Sequence, residues 1–135
     1  MTPIKGSCLC GAVRFEITGR PLSLSHCHCS RCRKSAGVFA AVLMVKAQDF
    51  HLLAGADHIR QHVPDPPFRH VRSFCGACGS PLGELLSAHE TFPVAASALD
   101  DDPGIRPIIH LNVASKPPWF EITDEVKQIP RNYGD

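Results

Sequence analysis

Seven cysteines carry most of the chemistry open to this chain, and they fall into three tight groups. Cys8-Leu9-Cys10-Gly11 comes first, then Cys27-His28-Cys29-Ser30-Arg31-Cys32, then Cys75-Gly76-Ala77-Cys78-Gly79. An odd number excludes full disulfide pairing within one chain, and the spacings are those of metal ligands. A Cys-x-x-Cys-Gly loop aims two sulfurs at one point, and its glycine permits the positive φ that finishes the turn. Cys75 and Cys78 therefore supply half of a tetrahedral site. Cys8 and Cys10, also followed by glycine, are the natural other half. Four thiolates around Zn²⁺ leave no open position, so this site is expected to stabilise the fold rather than catalyse. Iron in a four-thiolate site is the competing reading.

The middle group is different. Cys27, Cys29 and Cys32 form a tripod that can wrap one metal from a single loop opening a short helix. With the other four cysteines used up, it has three ligands. Three protein ligands and one exchangeable position are the signature of a catalytic zinc. Three thiolates make zinc a weak Lewis acid, better suited to a thiolate from a substrate than to a strongly activated water. The protein is thus expected to hold two zinc ions, one closed and one open. Arg33 and Lys34 follow at once and are candidate carboxylate holders beside the metal, against the alternative of a solvated helix face.

Histidines near the tripod qualify this picture. His26 or His28 as a fourth ligand would turn the open site into a closed one. Alternation along an extended loop turns His28 away from the side where Cys27 and Cys29 converge. His26 is a candidate outer-sphere group or proton shuttle. His51, His58, His62, His70, His89 and His110 lack metal spacing and are expected to be ordinary surface or core residues. The chain has no phosphate-binding glycine loop, no Gly-x-Ser-x-Gly elbow and no His-Glu-x-x-His. Asp100-Asp101-Asp102 before Pro103-Gly104 reads as a solvated turn.

The elements that must position these groups are short. Val13, Phe15 and Ile17 alternate with Arg14 and Glu16 as a half-buried strand. Residues 38–46 form an apolar run expected to be a strand buried on both faces. Further strands are predicted at Phe50–Leu53, Ile59–Val63, His70–Phe74, Leu82–Leu86, Phe92–Ala96 and Ile108–Val113. Only Ser30–Ala36, at the tripod, has helical character. At 135 residues, with 44% apolar and 20% charged residues, the chain fits a single mainly β domain over 1–135. A net charge of +1 gives no reason to expect nucleic acid or an anionic membrane as partner. The longest apolar stretch, Val38 to Val45, is too short to cross a bilayer. The polar start and reduced thiols point to the cytoplasm.

Gly6-Ser7-Cys8-Leu9-Cys10-Gly11-Ala12-Val13, the tripod with Arg33-Lys34-Ser35-Ala36-Gly37, and Phe74-Cys75-Gly76-Ala77-Cys78-Gly79 together resemble one family. It is that of the glutathione-dependent formaldehyde-activating enzymes and centromere protein V. Ala98-Leu99-Asp100-Asp101, Arg106-Pro107, His110 and Pro118-Trp119 extend the likeness over nearly the whole chain. The resemblance implies a zinc-bound β-tent of short antiparallel strands, with a structural metal on Cys8, Cys10, Cys75 and Cys78. It assigns a catalytic metal to Cys27, Cys29 and Cys32. It also implies carbon–sulfur lyase chemistry, in which glutathione combines with formaldehyde to give S-hydroxymethylglutathione. Arg33-Lys34-Ser35 stands where formaldehyde-activating members carry Trp-Lys-Pro, so fold and metals carry over better than substrate does. Trp119 and Phe39 are candidate pocket walls, against the commoner role of such rings as core. The alternatives are a non-catalytic zinc-binding interaction module and a redox or metal-storage role for exposed thiolates.

Overall fold

The alternating pattern at the N-terminus produces the first sheet. In the computed structural model, which describes residues 1–131, β1 (Ile4–Ser7) pairs antiparallel with β2 (Arg14–Ile17). β2 pairs in turn with β5 (Phe50–Ala54). Val13, Phe15 and Ile17 are fully buried, as the alternation requires. Gly6 belongs to β1 because the Phe15 ring occupies the space a Cβ would need.

The remaining strands form one long sheet. They are β3 (Ser23–Cys27), β4 (Ala40–Lys46), β6 (Ile59–His62), β7 (Arg72–Cys75), β8 (Pro81–Gly83), β9 (Thr91–Ala95), β10 (Ile109–Leu111) and β11 (Lys127–Gln128). Their spatial order is β11-β10-β3-β4-β9-β8-β7-β6. β10 runs parallel to β3 and β11, and every other named pair is antiparallel. The fold is mainly β, with one α-helix among the described residues, α1 (Ser30–Ala36), at the tripod. No helix among the described residues is long and apolar enough to cross a membrane.

Register explains where the core sits and why a groove opens beside it. Leu24, Leu43 and Val94 lie in one row across β3, β4 and β9, and all three are buried against the first sheet. The neighbouring row on the opposite face is Ser25, Val42 and Ala95. The expectation that residues 38–46 are buried on both faces is therefore half met. Leu43 and Val45 enter the core, while Val42 and Met44 line a groove. The side chains of Ser25 and Ala95 along that row are too small to fill the space beside it, so a groove stays open.

Four short strands differ from the sequence reading. β1, β3 and β11 were not expected, and β8 ends at Gly83 rather than Leu86. Gly83 takes φ 99° with the Pro93 carbonyl where a Cβ would stand, and Leu86 takes φ 63°. Both are turn conformations that stop a strand. The acidic run is more tied down than a solvated turn. Asp100 accepts from Ser7 Oγ at 2.8 Å, Asp101 accepts from the Lys5 backbone at 2.8 Å, and Asp102 pairs with Arg106.

Candidate functional site

Two cysteine groups come together as their spacing requires. Sulfurs of Cys8, Cys10, Cys75 and Cys78 lie within 4.8 Å of one another, and so do those of Cys27, Cys29 and Cys32. None of the seven is in a disulfide. Each set could hold a metal ion.

The four-cysteine set is built from two tight turns. Between β1 and β2, the Gly11 N–H donates to the Cys8 carbonyl at 3.0 Å and Gly11 takes φ 80°. Between β7 and β8, the Gly79 N–H donates to the Cys75 carbonyl at 2.7 Å and Gly79 takes φ 79°. Both glycines adopt the positive φ read from the sequence. Cys8 and Cys10 sulfurs are 3.6 Å apart, and Cys10 and Cys75 sulfurs are 3.9 Å apart. A tetrahedral ion about 2.3 Å from each sulfur needs a sulfur separation of about 3.8 Å, so the donor set fits. The Ser80 hydroxyl and backbone hold the Cys78 thiol down to about 5, which favours the thiolate a metal needs.

The tripod sits at the junction of β3 and α1. Cys27 ends β3, Cys29 caps α1 by accepting the Cys32 N–H at 3.2 Å, and Cys32 faces back from the first turn. Every sulfur has an N–H donor. Asn112 Nδ2 reaches Cys27 Sγ at 3.4 Å, the Cys32 backbone serves Cys29, and Arg72 Nη1 lies 3.7 Å from Cys32 Sγ. Cys29 is pulled down to about 2 by hydrogen bonds from Cys27 and Cys32 and by backbone N–H groups. Cys32 is pushed strongly upward by Cys27, then Cys29, then burial. Three sulfurs this close cannot all ionise unless a cation joins them, so the cluster suits a thiolate-bound metal.

Neither His26 nor His28 joins the tripod among the described residues. His28 is fully buried with its ring turned to the other side of the loop, as alternation predicts. His28 Nε2 is 2.8 Å from His110 Nδ1, and His110 Nε2 is 3.0 Å from Asp124 Oδ1. With the proton on His110 Nε2, that nitrogen donates to the Asp124 carboxylate and Nδ1 accepts from His28 Nε2–H. Burial, then His110 and His26, lowers the His28 pKa to about 4. His26 stacks on Phe39 at 4.3 Å, and burial lowers its pKa as well. His110 is therefore more than ordinary core. It and Asp124 lock the middle residue of the tripod loop, a role its sequence spacing does not reveal.

The tripod opens into the groove, a space of about 1050 Å³ lined by Cys27 and Cys32 together with Arg31, Lys34, Arg72 and Glu84. Lys34 reaches this wall, whereas Arg33 is not among the lining residues. Arg31 stacks over the Phe68 ring at 3.9 Å. Phe39 lines the groove as expected, but Trp119 is 70% exposed and lies outside it. Its neighbour Phe120, not a lining residue either, packs behind Phe39, with ring centroids 5.8 Å from Phe39 and 6.0 Å from His28. His62 and His70, read as ordinary residues, also line the groove. Arg72 and Asn112 have no motif around them in the sequence. Only the fold brings them to the tripod.

Fold and site together define a class: small mainly β proteins with a closed four-thiol knot and an open three-thiol cluster at the head of a groove. The profile of the glutathione-dependent formaldehyde-activating enzyme family matches residues 3–115, and this chain belongs to that family. It is similar to a Halomonas elongata protein that carries the provisional name glutathione-dependent formaldehyde-activating enzyme. That relative is 34% identical over 129 residues, covering 88% of this chain and 80% of its own. A crystal structure of a Rhodobacter sphaeroides protein matches with a TM-score of 0.58 at 26% identity, covering 76% of this chain and 91% of that one.

Proposed function

We propose that this protein is a zinc-dependent carbon–sulfur lyase-type enzyme that joins glutathione, or a closely similar thiol, to formaldehyde. The observation that carries this reading is the tripod at the head of the groove, with Cys27 and Cys32 on its wall and no histidine within ligand range. Cys8, Cys10, Cys75 and Cys78 would hold a structural zinc, and Cys27, Cys29 and Cys32 the working one. Zinc at the tripod would supply an exchangeable position that favours the thiolate form of an incoming thiol. The chain's own groups do the rest. Asn112, Arg72 and the Cys32 backbone hold the three sulfurs in place through their N–H donors. Lys34, on the groove wall, offers charge for a substrate carboxylate.

The reaction needs little more than proximity. The thiol sulfur bonds to the carbonyl carbon, the C=O π bond breaks, and the proton lost by sulfur ends on the new hydroxyl oxygen. Holding both reactants in a near-attack geometry is the main gain, with solvent in the open groove relaying the proton. Neither feature that would favour a non-catalytic zinc module, a histidine completing the tripod or a tripod buried without a cleft, occurs among the described residues. Exchange spectroscopy of glutathione and formaldehyde tests the proposal: the protein should speed formation of S-hydroxymethylglutathione, and Cys29→Ser should abolish the gain. Equal rates with and without protein would sink it.

A further inference from the structure

The groove has two sides of different chemistry, and the tripod stands where they meet. One side is a face of the sheet formed by β10, β3, β4 and β9. On it Cys27 is level with Leu111 and Ala40. Ser25 is level with Val42 and Ala95, and Ser23 with Met44 and Pro93. All of these residues line the groove, as does Ile109, two positions before Leu111. Apart from Cys27, only Ser23 and Ser25 among them have polar side chains, and none is charged. Val42, Met44, Ala95 and Ile109 are half-buried, so this apolar floor is open to a ligand.

Every charged side chain lining the groove comes from the other side. Arg31 and Lys34 stand on α1, Arg72 begins β7, and Glu84 follows β8. Several already answer groups of the protein: Arg31 stacks on Phe68, Arg72 reaches Cys32 Sγ and Ser35 Oγ, and Glu84 stands 3.8 Å from His70. They make this side polar without singling out one ligand group. Cys27 belongs to the apolar side and Cys32, in contact with Arg72, to the polar one.

A thiol joined to an aldehyde has the same division. Its sulfur carries the peptide on one side and the former carbonyl carbon, with whatever substituent that carbon brought, on the other. With formaldehyde the substituent is hydrogen, and the apolar floor stays in contact with water. Alternate residues of a strand are about 6.6 Å apart, so the floor runs roughly 13 Å from Cys27 to Ser23. A six-carbon chain, with bonds of about 1.5 Å, fits within that length. Covering apolar surface with an alkyl chain is favourable in proportion to the area removed from water.

Resting on the reading given under Proposed function, we propose that this site takes aliphatic aldehydes as carbonyl substrates, with the alkyl chain laid on the floor formed by β3, β4 and β9. The peptide of the thiol keeps to the side of α1 and β7. The step is the same addition: sulfur bonds to the aldehyde carbon, the C=O π bond breaks, and the proton lost by sulfur ends on the oxygen. The alkyl chain takes no part in the chemistry and acts only through binding.

Exchange spectroscopy of glutathione with formaldehyde, acetaldehyde and hexanal, using the zinc-loaded protein, tests this. Wild type should speed all three additions, with a KM for hexanal about tenfold to a hundredfold below that for acetaldehyde, the effect of partly covering four methylenes. Met44→Glu puts a charge on the floor and should bring those two KM values together. Acceleration with formaldehyde alone would overturn the inference while leaving the thiol-enzyme reading intact. Equal wild-type KM values for acetaldehyde and hexanal would do the same, and so would a difference that survives in Met44→Glu. Acceleration with none of the three would overturn that reading, and this inference with it.

Discussion

Removing the guanidinium of Arg72 tests whether the open site depends on more than its three sulfurs. Arg72 Nη1 lies 3.7 Å from Cys32 Sγ and 3.3 Å from Ser35 Oγ, so one side chain ties a tripod sulfur and α1 to β7. A unit charge pair at that separation interacts by about 4.5 kcal/mol at an effective dielectric of 20 and by about 1.1 kcal/mol in water. The sulfur charge is shared with a metal and two other thiolates, and Arg72 is only half-buried, which favours the lower part of that range. An effect of about 1.5–3 kcal/mol corresponds to roughly tenfold to a hundredfold in metal affinity, the usual cost of losing an outer-sphere partner. Arg72→Met should therefore release one of two zincs to a chromophoric chelator at correspondingly lower chelator concentration, while the second zinc behaves as in wild type. Arg72→Lys should fall between, since it keeps the charge but loses the fork. The reasoning is refuted if Arg72→Met gives up both zincs along the wild-type curve, or if both are weakened together.

The other expectations separate the site's parts. Cys29→Ser should lose one zinc and all turnover with little change in unfolding temperature, whereas Cys78→Ser should lose the structural ion and unfold; equal destabilisation of the two, read by circular dichroism, would defeat this division. Ser25→Leu places a bulky group in the groove row at its β3 end, nearest the tripod strand, so glutathione binding measured by calorimetry should fall at least tenfold with both zincs retained. His110→Phe keeps the packing but strands the fully buried His28 Nε2. It should cost about 1–3 kcal/mol in urea unfolding, and an unchanged midpoint would mean the chain of imidazoles contributes nothing to stability.

What could be read in advance depended on how local the cause was. The knuckles were legible because Cys75, Cys78 and Gly79 close a turn whose geometry is settled within a few residues, and the same holds for Cys8, Cys10 and Gly11. The helix at Ser30–Ala36 was legible for the same reason, since Cys29 caps it from within the motif. β1 and β3 were missed because Lys5-Gly6-Ser7 and Ser23-Leu24-Ser25 have weak strand propensity of their own. They become strands only by pairing with β2 and β4, a tertiary effect. Arg72, Asn112 and Glu84 were out of reach on similar grounds: Arg72 meets Cys32 across 40 residues and Asn112 meets Cys27 across 85. Trp119, a candidate pocket wall by residue type, stays exposed because the chain turns after the buried Pro117, and Phe120 is the ring that packs near Phe39 and His28.

The placement of the two cysteine groups on one framework has a consequence for how the open site can work. The closed group joins the β1–β2 turn of the first sheet to the β7–β8 turn of the second, so it fixes the sheets relative to each other. β7 begins with Arg72, on a tripod sulfur, and ends with Cys75, in the closed group. The tripod itself is held from three further directions: by Asn112 after β10, by the His28–His110–Asp124 chain, and by the Cys29 cap of α1. Each of these contacts comes from the chain itself. A metal on the tripod would therefore meet sulfurs already held by protein donors, which under the proposed function is what would let it exchange one ligand for a substrate thiol. The closed group and Arg72 sit at opposite ends of β7, so a metal in the closed group would brace the strand that carries Arg72 to the tripod.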